Sequence, residues 1–200
     1  MLQQINKLVK LLSIFLLASI VFAQSTSLRS VTDKAAKDYQ DGNYSTAIDE
    51  LKKAIDIIKN KQKKEYQKLL PQTLPGWSRG ELTFGETDPR GIQKGHFIEQ
   101  TYNKSGGYVK ATLIMHSPMV NDAKKMFNSG SNMTNREGFS FETIANKKAL
   151  IRYYENQNKG EITILASGSA IASIYGKDVS LREMKNYARL FKFAEISKVK

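Results

Sequence analysis

The sequence predicts an α+β fold, an antiparallel sheet of about seven strands with packed helices, preceded by an N-terminal helical hairpin. Three observations predict it. Apolar residues recur at helical spacing as far as residue 70. From there the pattern alternates with period two. Few helical stretches interrupt the alternating segments, so the strands pair as hairpins and meanders. Two hundred residues with 40% apolar and 10% aromatic content suffice for one or two domains with a real core.

Residues 1–23 are set apart from the fold. Lys7 and Lys10 precede an apolar run of about a dozen residues, Leu11 to Phe22, and Val21-Phe22-Ala23 then stands before Gln24. That is the three-part secretory signal, with cleavage expected after Ala23. The run is shorter than the ~20 residues a membrane-spanning helix needs, and polar residues follow it. The mature chain is therefore expected to be periplasmic or secreted, with no membrane span after cleavage. The chain has no cysteine. Lipid attachment through cysteine, disulfides, zinc–thiolate sites and thiol catalysis are thereby excluded. An exported chain without disulfides points to a bacterial envelope.

The formal net charge is +12, two units of it from the signal lysines. A basic surface attracts phosphates, acidic glycans and lipid headgroups. The cations are 24 lysines and seven arginines, scattered except for the run Lys59 to Lys64. Readers of nucleic acid favour arginine for its bidentate fork, so a nucleic-acid partner is disfavoured. A merely solvated basic surface, set by coding bias, is the competing reading.

From 28 to 70 the pattern is a helical hairpin. Ser30 to Gln40 forms its first arm and Asp41-Gly42-Asn43 its turn. Ser45 or Thr46 can cap the second arm. Its apolar face is read as Ala47, Ile48, Leu51, Ala54, Ile55 and Ile58, then Tyr66, Leu69 and Leu70. At the seam Pro71 stops the helix, Pro75-Gly76 makes a tight turn, and Trp77, the only tryptophan, begins the sheet.

Strands are expected at 81–86, 95–102 and 107–116, the last two joined by a turn at Asn103 to Gly107. Ser117-Pro118 ends the third strand. Residues 119–130 read as a short helix with Val120, Ala123 and Phe127 inward and Gly130 as its stop. Four more strands follow at 139–145, 148–155, 160–167 and 169–176, as a meander. Ser180 and Glu183 form a capping box before a terminal helix with Leu181, Met184, Ala188 and either Leu190 or Phe191 on its apolar stripe.

Two resemblances follow from these residues. Ala36, Tyr39, Gly42, Tyr44, Ala47 and Lys52-Lys53-Ala54-Ile55 make the hairpin similar to a single tetratricopeptide unit. No second copy follows at the repeat interval, so a stacked solenoid is not expected. The element order of the remainder, over about residues 69–196, resembles the PsbP-like fold. The Leu-Pro-x-x-Leu-Pro-Gly-Trp element starting at Leu70 and the strand ending in Ser117-Pro118-Met119 are similar to a family of uncharacterised bacterial periplasmic proteins. The periplasmic family carries no catalytic residues to transfer, and the PsbP-like resemblance implies an assembly or binding module. The domains expected are a signal peptide at 1–23, a hairpin at 24–70 and an antiparallel α+β domain at 71–200.

Catalytic motifs are scarce. Ser167 to Ala170 has a serine but lacks the second glycine of a nucleophile elbow. No metalloprotease helix, phosphate loop or dinucleotide fingerprint occurs. His96 and His116 face each other across two strands and, with Glu99 or Asp88, have metal-ligating chemistry. However, the odd offset between His96 and Glu99 puts them on opposite faces of a strand. No catalytic, cofactor-binding or metal-binding residue is assigned, and no cofactor is implied. The residues selected as a candidate binding surface are Trp77, His96, His116, Tyr102, Tyr153, Tyr154 and Arg136. Tyr108 and Tyr175 add aromatics to the same sheet. The function expected is an exported, noncatalytic binding or assembly module of the envelope. Its partner would be an envelope protein or an anionic envelope component; the oligomeric state is left open. The alternative is a hydrolase or metal-dependent enzyme with an unconventional site in loops 84–96 and 128–138.

Overall fold

The computed structural model describes residues 28–87, 94–129 and 139–199. Residues 1–23, read from the sequence as a secretory signal, lie outside the described residues, as do Asp88, Gly130 and Arg136. The chain divides into two compact units, residues 1–62 and 63–200. No helix among the described residues is long and apolar enough to cross a membrane.

The first unit holds helix α1 (28–40) and most of helix α2 (Tyr44–Gln67). Gly42, at φ +78°, turns the chain between them. The Asn43 amide reaches back to the Asp38 carbonyl at 2.8 Å, closing the end of α1. Small side chains let the helices approach: Ala35, Ala47 and Ala54 are buried. Glu50 is buried beside them, with the Lys34 ammonium at 2.7 Å and that of Lys53 at 3.0 Å. The hydrogen bond from Lys34, then that from Lys53, holds the Glu50 carboxyl below its ordinary pKa.

The apolar face read from the sequence is split by this packing. Ala47 and Ala54 are covered, yet Ile48, Leu51, Ile55 and Ile58 stand about half exposed. The alanines turn toward α1, and the larger side chains lie round the helix beyond its reach. Tyr66, Leu69 and Leu70 belong instead to the core of the second unit. The unit boundary therefore falls several residues before the Leu70–Pro71 junction that the prolines marked.

The second unit is a seven-stranded antiparallel sheet in the order β1-β2-β3-β7-β6-β5-β4. Its strands are β1 (Ser78–Thr87), β2 (Lys94–Lys104), β3 (Gly107–Met115), β4 (Phe139–Ile144), β5 (Lys147–Tyr154), β6 (Lys159–Ser167) and β7 (Ala170–Lys177). Two meanders, β1 to β3 and β4 to β7, meet where β3 pairs with β7. Every expected strand is present. Alternation sorts its side chains to two faces. Ala149, Ile151, Ile162, Ile164, Ala172 and Ile174 enter the main core, with helices α4 (Leu181–Arg189) and α5 (Phe193–Ile196) against it. Leu150 and Ile171, between them in sequence, join a second cluster under helix α3 (Met119–Asn128). Val120, Ala123 and Phe127 face that cluster, as their spacing predicts.

The capping box of α4 is formed. The Glu183 amide donates to Ser180 Oγ, and the Ser180 amide donates to the Glu183 carboxylate. Of the two residues left as alternatives beyond it, Phe191 is buried and Leu190 is exposed. Lys192 then starts the short α5, which the sequence did not predict.

Candidate functional site

The seam gathers several segments of the second unit. Helix α2 ends at Gln67, three residues before Leu70, and tightens through i→i+3 bonds from Lys68, Leu69 and Leu70. Pro71 is buried, and its carbonyl accepts a hydrogen bond from the Tyr102 hydroxyl on β2. The Trp77 amide donates to the Leu74 carbonyl at 3.1 Å, closing a turn with Gly76 at φ +77°. The Lys192 amide donates to the Leu69 carbonyl at 3.2 Å, tying the α4–α5 junction to the same segment.

Between these parts lies an open cleft of about 480 Å³. Leu70 and Pro71 contribute apolar lining, and Gln67 and Gln72 contribute amides. Four cations complete the lining: Lys64, Lys68, Arg79 and Lys192. Lys68 is held by Glu65 at 2.8 Å. Lys64, Arg79 and Lys192 have no acidic partner among the described residues. Lysines at the end of a helix also complement its dipole, which accounts for Lys64 and Lys68 locally. It does not account for Arg79, which arrives on β1, or for Lys192, which arrives from the far end of the chain. Among the described residues the lining holds no carboxylate, imidazole or hydroxyl. Its cations and amides have the chemistry to hold an anion.

The sequence-selected residues fall in separate places. Tyr102 is fully buried and offers no contact surface. Burial drives its hydroxyl pKa well above the ordinary value, with the Arg79 charge opposing. Trp77 is half-buried, edge-on to Tyr187 at 5.1 Å, with the Lys104 ammonium 5.8 Å from its ring. Tyr153 faces the core, and its hydroxyl donates to the Val179 carbonyl at 2.9 Å. Tyr154 is exposed on its own. Tyr108 and Tyr175 lie side by side at 6.0 Å on neighbouring strands.

His96 and His116 do meet. Their rings are 6.4 Å apart at 81°, and Tyr66 lies 6.3 Å from His96. His96 Nδ1 is buried with no hydrogen-bond partner among the described residues, and His116 sits at φ 52°, a conformation glycine adopts more easily. Glu99 is not with them. It accepts from Lys110 at 3.0 Å and from Thr112 at 2.8 Å. No group of three or more His, Cys, Asp or Glu side chains suited to a metal occurs among the described residues.

Sequence reasoning missed the cleft, since its cations come from three distant segments. The one available signal was the basic run Lys59 to Lys64, whose last member lines it. Comparison with protein-family models, with curated proteins and with solved structures finds no match to this chain.

Proposed function

We propose that the protein is an exported, noncatalytic binding module of the bacterial envelope, and that its second unit takes an anionic envelope component in the basic cleft. The observation that carries this reading is the lining itself, three cations without carboxylate partners among the described residues around one opening, with amides beside them. An arginine fork grips phosphate or carboxylate in two places, and the lysines add charge. The volume is within the range of small-ligand sites. Charge distribution supports it. Residues 63–200 hold 22 Lys or Arg against 13 Asp or Glu, most of the chain's net charge of +12. The secretory pattern of residues 1–23 and the resemblances to the PsbP-like fold and to a family of uncharacterised periplasmic proteins agree with it.

Calorimetric titration with inorganic pyrophosphate tests the reading. Saturable binding is expected, weakened about tenfold or more by Arg79→Glu with Lys192→Glu. Lys125→Glu with Lys177→Glu removes the same charge elsewhere on this unit and is expected to leave binding nearly intact. Equal weakening by both pairs, or no binding to the wild-type chain, would count against the cleft.

The second reading is a metal-dependent enzyme. It is favoured by one observation, the meeting of His96 and His116 around an unpartnered ring nitrogen. It expects stoichiometric zinc or copper in the purified protein, lost in His96→Ala.

A further inference from the structure

Helix α2 of the first unit presents a row of large apolar side chains to solvent. Tyr44, Ile48, Leu51, Ile55 and Ile58 are each about half exposed or more. Their spacing runs four, three, four, three, the mean period of 3.5 that keeps a seam facing a partner helix. Tyr39 of α1 extends the row at one end, its ring 5.5 Å from that of Tyr44. Ala47 and Ala54, on the α1 side of the row, are already buried. A contiguous apolar row of this size marks a protein contact.

The flank away from α1 says what covers it. Asp49, Lys52, Asp56 and Lys59 stand one position on from Ile48, Leu51, Ile55 and Ile58. They alternate in sign and are spaced three, four, three. Reversed end to end, this pattern becomes its own electrostatic complement. A two-fold axis near residue 54 places Asp49 against Lys59 of a second copy and Lys52 against Asp56. Symmetry repeats each pair, so four opposite-charge contacts arise. An antiparallel arrangement centred one residue earlier, at 53, sets Ile48 opposite Ile58 and Leu51 opposite Ile55, so the apolar and charged pairings agree to within a residue. A parallel pair would put each charge beside its own copy, acid near acid and lysine near lysine.

We propose that two copies of this chain associate through antiparallel α2 helices, the two hairpins forming a four-helix layer. Lys52 now lies 3.0 Å from Asp49 on its own helix. Exposed pairs of this kind contribute little, so exchanging that partner across the interface costs little. Ile48, Leu51, Ile55 and Ile58 supply the association, and the charges set its direction. The proposal goes beyond the anion-binding reading and stands or falls separately from it.

Sedimentation velocity on the mature full chain, over a range of concentrations, tests it. A dimer is expected, reduced to monomer by Leu51→Glu with Ile55→Glu. Ile55→Ser is the milder companion, expected to weaken the dimer while the circular dichroism stays at the wild-type level. Lys59→Asp sets like charges across the axis and is expected to weaken association about tenfold. Asp49→Lys combined with Lys59→Asp restores the pairing and the dimer. A wild-type chain that stays monomeric at about 100 μM, leaving the row to another partner, overturns the proposal. A dimer unmoved by the apolar variants, or a charge swap that fails to restore association, overturns it equally.

Discussion

Replacing Tyr102 by phenylalanine isolates the hydrogen bond that ties the seam to the sheet. Tyr102 has no exposed surface, and its hydroxyl donates to the carbonyl of buried Pro71. Phenylalanine keeps the ring, its packing against Tyr187 at 4.6 Å and nearly all the buried area. What is lost is one donor, leaving a buried carbonyl without its partner. That asymmetry costs about 1–3 kcal/mol, more than the net worth of an average hydrogen bond. Tyr187→Phe is the internal comparison. Its hydroxyl accepts from the Leu74 amide at 3.4 Å, a long contact whose loss is expected to cost under about 1 kcal/mol. Trp77 is the only tryptophan and packs on Tyr187, so its fluorescence reports on this unit. In urea, at a mid-range cost of about 2 kcal/mol and a slope of about 2 kcal/mol/M, the midpoint of Tyr102→Phe is expected to fall by about 1 M at unchanged slope. A midpoint equal to wild type, or a larger fall for Tyr187→Phe, would refute the argument that the Pro71 carbonyl depends on Tyr102.

Three further outcomes follow from the packing. Ser180→Ala removes the side-chain half of the α4 cap and is expected to cost about 1 kcal/mol in the same assay. Glu183 is held below its ordinary pKa of 4.5, first by the Lys104 hydrogen bond and also by those from Ser180. A depressed carboxylate stabilises the fold above that ordinary value and loses the effect as pH falls through the lower folded value. Wild type should therefore exceed Glu183→Gln in thermal midpoint near neutrality, with the gap closing in acid; a gap that widens there would contradict the assignment. Gly176→Ala brings a methyl to 2.6 Å from Val179 Cγ2 and 2.8 Å from Met184 Cγ, an overpacking expected to cost about 1–3 kcal/mol, measured by urea unfolding.

The strands were legible because a sheet covered on both faces still alternates. In β6, Ile162, Ile164 and Ala166 enter the main core while Leu165 joins the cluster under α3. The caps and turns were legible for the same local reason, since Ser180 with Glu183 and Pro75-Gly76 act within four residues. Helix α2 was not. Its periodicity places Ala47 beside Ile48 and Ala54 beside Ile55, and a wheel cannot say how much of that arc a single neighbouring helix covers. Tyr187 went unread because Leu181, Met184 and Ala188 already completed a stripe, although it is fully buried. The site was the least legible part. Lys64, Arg79 and Lys192 share no motif; the pairing of β1 with β2, the Tyr102–Pro71 hydrogen bond and the bond from Lys192 to Leu69 help bring them to one opening.

Anion binding in this opening is read most directly residue by residue, by amide and side-chain NMR of residues 24–200 titrated with inorganic pyrophosphate. Saturable shifts are expected to concentrate at Gln67, Gln72, Arg79 and Lys192 and to shrink as salt is raised. Shifts spread evenly over the lysines of the sheet, or gathered at His96 and His116 instead, would contradict it.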